Sequence, residues 1–468
     1  MFKKFLSLVF AIALAFGVLS VPVQAAVPVS YESSIQLRNL TDSEGTITLT
    51  FYDLSGEEVA SVPDEIAANE TKSYYQSSMP VDAGFNGSVV IASSVEAAAE
   101  SNIVGLNSSN KPISYAAYGG FSEGSSEVYL PTLFKNNYGY NTFYYVQNTG
   151  SVATDVEITY SDGITNSISD LQPGQSHIIK QLDEAHTPKV FSGTLTSTDS
   201  QIAVTVVEEG NTLFSYNGFG SGSTSPIMPL VNQNNYGYFT GIQIQNTGAI
   251  ETIVTVTYTP SMAGTACIEK RTIPAGGSKT FSQFVFYQSQ SETGDPNFET
   301  DCVMGQTFIG SGKVSVNSAS MPLVAVVNQL QIADNKGGAY AAFDPASGLQ
   351  KIVYPLIMDR NYGYFTSWSI VNVGTSAIPA GSLICNVTGK DKGGNPIDID
   401  LENDVEVPVD GSWTLNHLNI IADGFVGGAT CLGPAGSQLI GTSNQLGTGI
   451  NWTGVDSLLV SEGFVVAP

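Results

Sequence analysis

The 468-residue sequence predicts an all-β protein built of four tandem β-sandwich domains. Three observations carry that expectation. Charged residues make up only 13% of the chain, about half the usual share, and Gly, Ser, Thr and Asn with Val, Ile, Tyr and Phe fill the gap, a composition suited to strands and turns. A phrase starting Asn-Tyr-Gly-Tyr recurs at Asn137, Asn235 and Asn361, each time 11 residues ahead of the Asn of an Asn-x-Gly phrase (Asn148, Asn246, Asn372). Downstream of each of the first two of those asparagines, apolar residues alternate with polar ones: Val156, Ile158, Tyr160 and Val254, Val256, Tyr258. Asn39 is followed in the same way by Ile47, Leu49 and Phe51, so an earlier copy precedes the three. Period-two alternation is the mark of a strand with one buried face.

Taken in order, residues 1–26 read as a processing signal: Lys3 and Lys4, the apolar run FLSLVFAIALAFGVL, then Val23-Gln24-Ala25 as the peptidase site. No other stretch approaches the roughly 20 apolar residues of a membrane span. The expected location is therefore extracellular or on a bacterial cell surface, without membrane insertion. A net charge of −25 opposes binding to nucleic acid or anionic lipid.

Each copy opens near a proline 17 residues before the key asparagine (Pro131, Pro229, Pro355). After the alternating strand comes a turn (Asp53-Leu54-Ser55-Gly56, Asp162-Gly163, Lys392-Gly393-Gly394), then a second strand and a corner: Gln172-Pro173-Gly174, Pro274-Ala275-Gly276, Pro408-Val409-Asp410-Gly411. Gly84-Phe85-Asn86-Gly87 and Gly424-Phe425-Val426-Gly427 lead into later apolar strands, and each copy closes on a strand running into proline. These marks divide the chain into domains 27–130, 131–228, 229–354 (with a long insertion) and 355–468. Short strands with turn signals every 8–12 residues in units of this size predict immunoglobulin-like sandwiches. With almost no linker between them, the expected arrangement is an extended rod ~160 Å long.

The block from Val146 to Ser176, with its Asn-x-Gly, Tyr-x-Asp-Gly and Leu-x-Pro-Gly-x-Ser phrases, resembles CARDB-like immunoglobulin-like modules of bacterial surface proteins, a family linked with adhesion. The longer pattern looks like tandem repeats of secreted bacterial proteins with no assigned activity. The resemblance implies fold and location; its motifs are turn and core residues, so it implies little chemistry.

Chemistry-bearing residues are few. Cys385 takes the central inward position held elsewhere by Leu49, Ile158 and Val256, and Cys431 follows Gly424 as Ile91 follows Gly84. A Cys385–Cys431 bridge is therefore expected, with Cys267–Cys302 tying a strand to the insertion, each contributing roughly 4 kcal/mol through chain entropy. Of the three histidines, His177 and His186 share the second domain and are expected to face solvent, and none of the three has a Cys or Ser motif around it. Asp398, Asp400, Glu402 and Asp404 alternate near Asp391, which reads either as an ordinary charged edge strand or as a set of hard oxygen ligands for Ca²⁺. The Asn-Tyr-Gly-Tyr phrase is expected to turn the chain and pack its tyrosines at the junction with the preceding domain. Within the insertion, Phe284, Phe286, Tyr287 and Phe298 are the candidate partner contacts. The expected function is a non-enzymatic surface or extracellular protein contacting cell-surface or matrix components, or copies of itself. The alternative is a glycan-binding protein using exposed aromatics such as Trp452.

Overall fold

A computed structural model describes residues 27–281, 295–317, 321–448 and 455–466. Among them the regular structure is antiparallel strand with three one-turn 3-10 segments, and the strands form eight sheets. Each sequence repeat supplies two of these. In the second repeat one sheet places Asn141–Asn148 between Ser176–Lys180 and Ile202–Glu209, with Leu213–Asn217 outermost. The facing sheet holds Thr154–Tyr160 between Thr165–Leu171 and Val190–Ser197, with Glu127–Phe134 at its edge. Among the described residues the first repeat has three strands in the second of its sheets.

The alternating residues line the space between facing sheets as expected. Ile47, Leu49 and Phe51, Val156, Ile158 and Tyr160, and Val254, Val256 and Tyr258 are all buried, while Glu157 between them is exposed. Burying side chains of this size contributes about 1.5–3 kcal/mol each, which outweighs any contribution from the polar face.

The Asn-x-Gly phrase is a pin. Asn148 is fully buried; its Nδ2 donates to the carbonyls of Val152 (2.7 Å) and Leu171 (2.8 Å), and its Oδ1 accepts from Gly150 N (3.0 Å). Asn246 and Asn372 repeat this set, with Ile250, Ile273 and Gly248, and with Ser376, Val407 and Gly374. Asn39 does the same with Ser43 and Ile66. In these repeats one side chain thus ties the loop that follows it to the end of another strand or its flanking loop, and satisfies backbone groups there.

Both expected disulfides are present. Cys385 and Cys431 are direct cross-strand partners, as Leu49 and Ile91 are in the first repeat, and both are fully buried. Cys267–Cys302 fastens the short strand Glu299–Thr300 to the edge of Cys267–Ile273.

The repeats do not form a line. Their last strands, Pro112–Gly119, Leu213–Asn217, Lys336–Ala341 and Leu458–Glu462, stand side by side around one axis, each touching the next, the fourth touching the first, and the first touching the third across the middle. The centre is therefore packed. Small residues allow the approach: a Cβ on Gly338 would lie 2.5 Å from Val460 Cγ2. Side chains satisfy the inward strand edges. Ser215 Oγ donates to Ala117 O (2.7 Å), Asn217 Nδ2 to Gly119 O (2.7 Å), and Glu462 accepts from Ala341 N (2.8 Å).

The junctions repeat the same docking. Gln147 Nε2 of the second repeat reaches Ser88 Oγ of the first (2.7 Å), Ser192 Oγ of the second reaches Gly276 O in the third repeat's corner (3.2 Å), and Ser311 Oγ of the third reaches Asp410 O in the fourth's (2.6 Å). The fourth junction closes the circle: Thr71 Oγ1 donates to Pro355 O (3.1 Å), and buried Arg38 reaches Thr388 and Thr430 (3.4 Å each). An open rod would hold the first and last repeats far apart, so the rod expectation is replaced by a closed ring. The physical reason is that one docking geometry, repeated without linkers, turns the chain by the same step until it meets its own start.

Candidate functional site

The two ends of the axis differ. At one end the last strands present the backbone N–H groups of Tyr115, Leu213, Gly337 and Leu458, which occupy the same register position in their repeats. Buried Asp456 receives all four, including Leu213 N and Gly337 N at 2.9 Å each. Burial pushes its carboxyl well above the ordinary range, and the four amides pull the other way. One side chain thus ties all four repeats together at that end.

The three Asn-Tyr-Gly-Tyr phrases lie at the same end. Each is a hairpin closed by a bridge between its Asn and its second Tyr, as in Asn137 with Tyr140. The two central residues both have positive φ: Tyr138 50° and Gly139 89°, Tyr236 48° and Gly237 81°, Tyr362 50° and Gly363 86°. A two-residue loop of this kind calls for Asn-Gly or Gly-Gly. Tyrosine there is strained, by roughly 1–2 kcal/mol for an L-residue in the left-handed region. Packing does not offset the strain, because Tyr138, Tyr236 and Tyr362 are 82%, 91% and 90% exposed. These are the three most exposed large apolar side chains among the described residues.

The second tyrosines behave differently. Tyr140 packs on Phe214 and its hydroxyl meets Thr212 Oγ1 at 2.7 Å; Tyr364 packs edge-on against Tyr115 of the first repeat. Burial raises the hydroxyl pKa of Tyr140 to about 12 and those of Tyr238 and Tyr364 further. Tyr31 holds the equivalent register position in the first repeat, opposite Gly105, where its ring contacts Phe143 and its hydroxyl bonds Glu209 of the second repeat. So the second tyrosine is structural, but not at the expected junction: Tyr140 packs within its own repeat, and Tyr31 and Tyr364 reach the repeat that follows around the ring instead of the preceding one. The first tyrosine is at no junction: it is displayed to solvent, so the expectation is corrected for both tyrosines. The hairpin demands φ > 0 where the side chain stands, and that geometry aims it outward.

The residues singled out from sequence fall elsewhere. Phe284, Phe286, Tyr287 and Trp452 lie outside the described residues. Phe298 is half-buried over the Arg271 guanidinium, 5.1 Å from its centroid, and so helps hold the insertion's end in place. Asp398 and Asp400 are exposed neighbours on the edge strand Pro396–Glu402, bridged by Asn386 Nδ2 at 2.8 and 3.0 Å. Asp391 accepts from Gly393 N and Asn395 N within its own turn, and Asn395 holds its carboxyl below the ordinary value. Asp404 is exposed in the following loop. Among the described residues no group of potential cation ligands includes these four; the group that does form, Cys267, Asp301 and Cys302, has its sulfurs committed to the disulfide.

His177 is exposed as expected, but His186 is buried. It stacks on Phe191 (3.9 Å between centroids) and its Nδ1 lies 2.9 Å from Asp162 Oδ2 in the turn opposite. A short polar loop folded back onto an aromatic core overrides the solvent-facing expectation. His417 is also buried, against Trp368, with Nδ1 on Thr366 O at 2.8 Å, and burial lowers its pKa to about 4. Both rings fill cores.

Compared with known proteins, the chain matches no family model, and no curated protein is significantly similar to it.

Proposed function

We propose that the chain is an exported, non-enzymatic protein of four immunoglobulin-like domains that acts at the cell surface or in the extracellular matrix as an adhesion or structural component. The observation that carries this reading is the end face of the ring, where three strained, exposed tyrosines recur at equivalent positions on a rigid support. Strained residues gather where a surface is used, and a displayed Tyr offers an apolar ring with a polar tip. The two disulfides and the signal-like start support an oxidising, extracytoplasmic location. The CARDB-like pattern of turns and the paired antiparallel sheets support the immunoglobulin-like assignment.

The test is retention. Fluorescently labelled mature protein is added to producing cells from which its gene has been deleted, together with their matrix. Saturable, salt-resistant retention on cells or matrix is expected. Protein that stays free, or native protein that fractionates with the cytoplasm, would overturn the reading.

A further inference from the structure

We infer that the tyrosine-bearing end of the ring is a multivalent site for a neutral polysaccharide, with Tyr138, Tyr236 and Tyr362 each stacking on one sugar ring. This rests on the surface-protein reading and names the ligand of that same face. Each tyrosine stands on its own hairpin, flanked in the chain by Asn and Gly, whereas a protein interface has a fully buried apolar core. Polar residues precede each one in the chain: Asn136 and Asn137; Asn234 and Asn235, whose Nδ2 groups donate to Gly305 O and Asn232 Oδ1; and Arg360 and Asn361, with the Arg360 guanidinium held by Asp359. A flat ring with hydrogen-bonding groups at its margin suits a pyranose, which offers C–H faces and equatorial hydroxyls. The chain's charge of −25 disfavours anionic polymers. Recurrence at fixed positions around a closed ring suits a ligand that itself repeats, since linked weak sites gain 10²–10⁴-fold in avidity. The strain fits the same picture. The backbone conformation at these positions favours Asn or Gly, yet tyrosine stands there in all three hairpins.

The experiment is native affinity electrophoresis, to which an acidic protein is suited. Gels contain dextran, xyloglucan, mixed-linkage β-glucan or galactomannan, or the anionic controls alginate and polygalacturonate. Wild type is compared with the triple variant Tyr138→Asn/Tyr236→Asn/Tyr362→Asn. Asn is at home in the left-handed region, so the variant should fold with an equal or higher melting temperature. Retardation of wild type is expected in at least one neutral polymer and in neither anionic one. At least a tenfold weakening is expected in the triple variant, with smaller losses in each single one. Unchanged retardation in the triple variant would place sugar binding elsewhere, overturning this assignment but leaving the surface role intact. No retardation in any neutral polymer, with retention on cells preserved, would remove the sugar ligand alone; loss of both would remove the surface role as well. Wild-type self-association that the triple variant lacks would assign the face to a second copy and overturn the inference.

Discussion

The sharpest check on the ring is a double-mutant cycle between Arg38 and Thr430, which are 392 residues apart and 3.4 Å from each other. Arg38 is 2% exposed, burial lowers its pKa to about 10, and its partners are the hydroxyls of Thr71, Thr388 and Thr430, with Nε unpaired. Removing one acceptor from a buried guanidinium costs about 1–2 kcal/mol, hydrogen bonds to charged groups being the stronger kind. Thr430→Val alone should therefore destabilise by about that much. Arg38→Met takes the charge out of the junction and leaves an apolar chain of similar length, a change that is often neutral. In that background Thr430→Val should cost close to nothing, giving a coupling energy of about 1–2 kcal/mol. Urea unfolding of the four proteins measures it. Additivity within about 0.3 kcal/mol is the signature of residues that do not touch, and would refute the closed junction. Small-angle scattering gives an independent reading: a compact chain of this length has a radius of gyration of about 22 Å, whereas a ~160 Å rod would give roughly 46 Å.

Three other outcomes follow from the geometry. Burial pushes the carboxyl of Glu100 up to about 7 and that of Glu208 up to about 8, each at a contact between repeats: Glu100 with Gln445, Glu208 with Asn328. The native state therefore holds protons that the unfolded chain releases near pH 4.3, so stability is greatest at about pH 4–5 and falls as pH rises toward 8. The melting temperature should be higher at pH 5 than at pH 8, and Glu208→Gln should shrink that difference; a rise in stability with pH would contradict the placement. Replacing Cys385 and Cys431 by Ala and Val opens a loop of 46 residues and should cost about 4 kcal/mol, read by denaturant midpoint. Asn148→Ala removes three side-chain-to-backbone hydrogen bonds, so a loss of about 3 kcal/mol is expected; a loss under 1 kcal/mol would show that water or relaxation replaces the pin.

Much of each repeat could be read from the sequence because local rules set it. Leu49, Ile158 and Val256 alternate with polar neighbours, and that pattern alone places them, and with them Cys385, inside. The ring could not be read this way. Its contacts join residues hundreds of positions apart through single side chains such as Arg38 and Asp456, which carry no periodicity. The recurring tyrosine phrase was legible as a turn, but turn rules put the burden of positive φ on Asn and Gly, and the structure also puts it on Tyr138, Tyr236 and Tyr362. One signal was there to be used. Tyr31 stands eight residues before Asn39, as Tyr140 does before Asn148, which separates the tyrosine that every repeat needs from the one only the hairpins carry.

The meeting of the four last strands has a consequence for how the molecule comes into being. Each of those strands is an open edge until its neighbours arrive, and one neighbour of the first belongs to the fourth repeat. As the chain emerges in order, Pro112–Gly119, Leu213–Asn217 and Lys336–Ala341 wait with unpaired backbone groups, the condition under which strands recruit other chains. Assembly of the axis therefore has to wait until the fourth repeat has been made, and it is slowed by the long loops it must close. The repeats are poised to mature one by one; the ring can only be finished all at once.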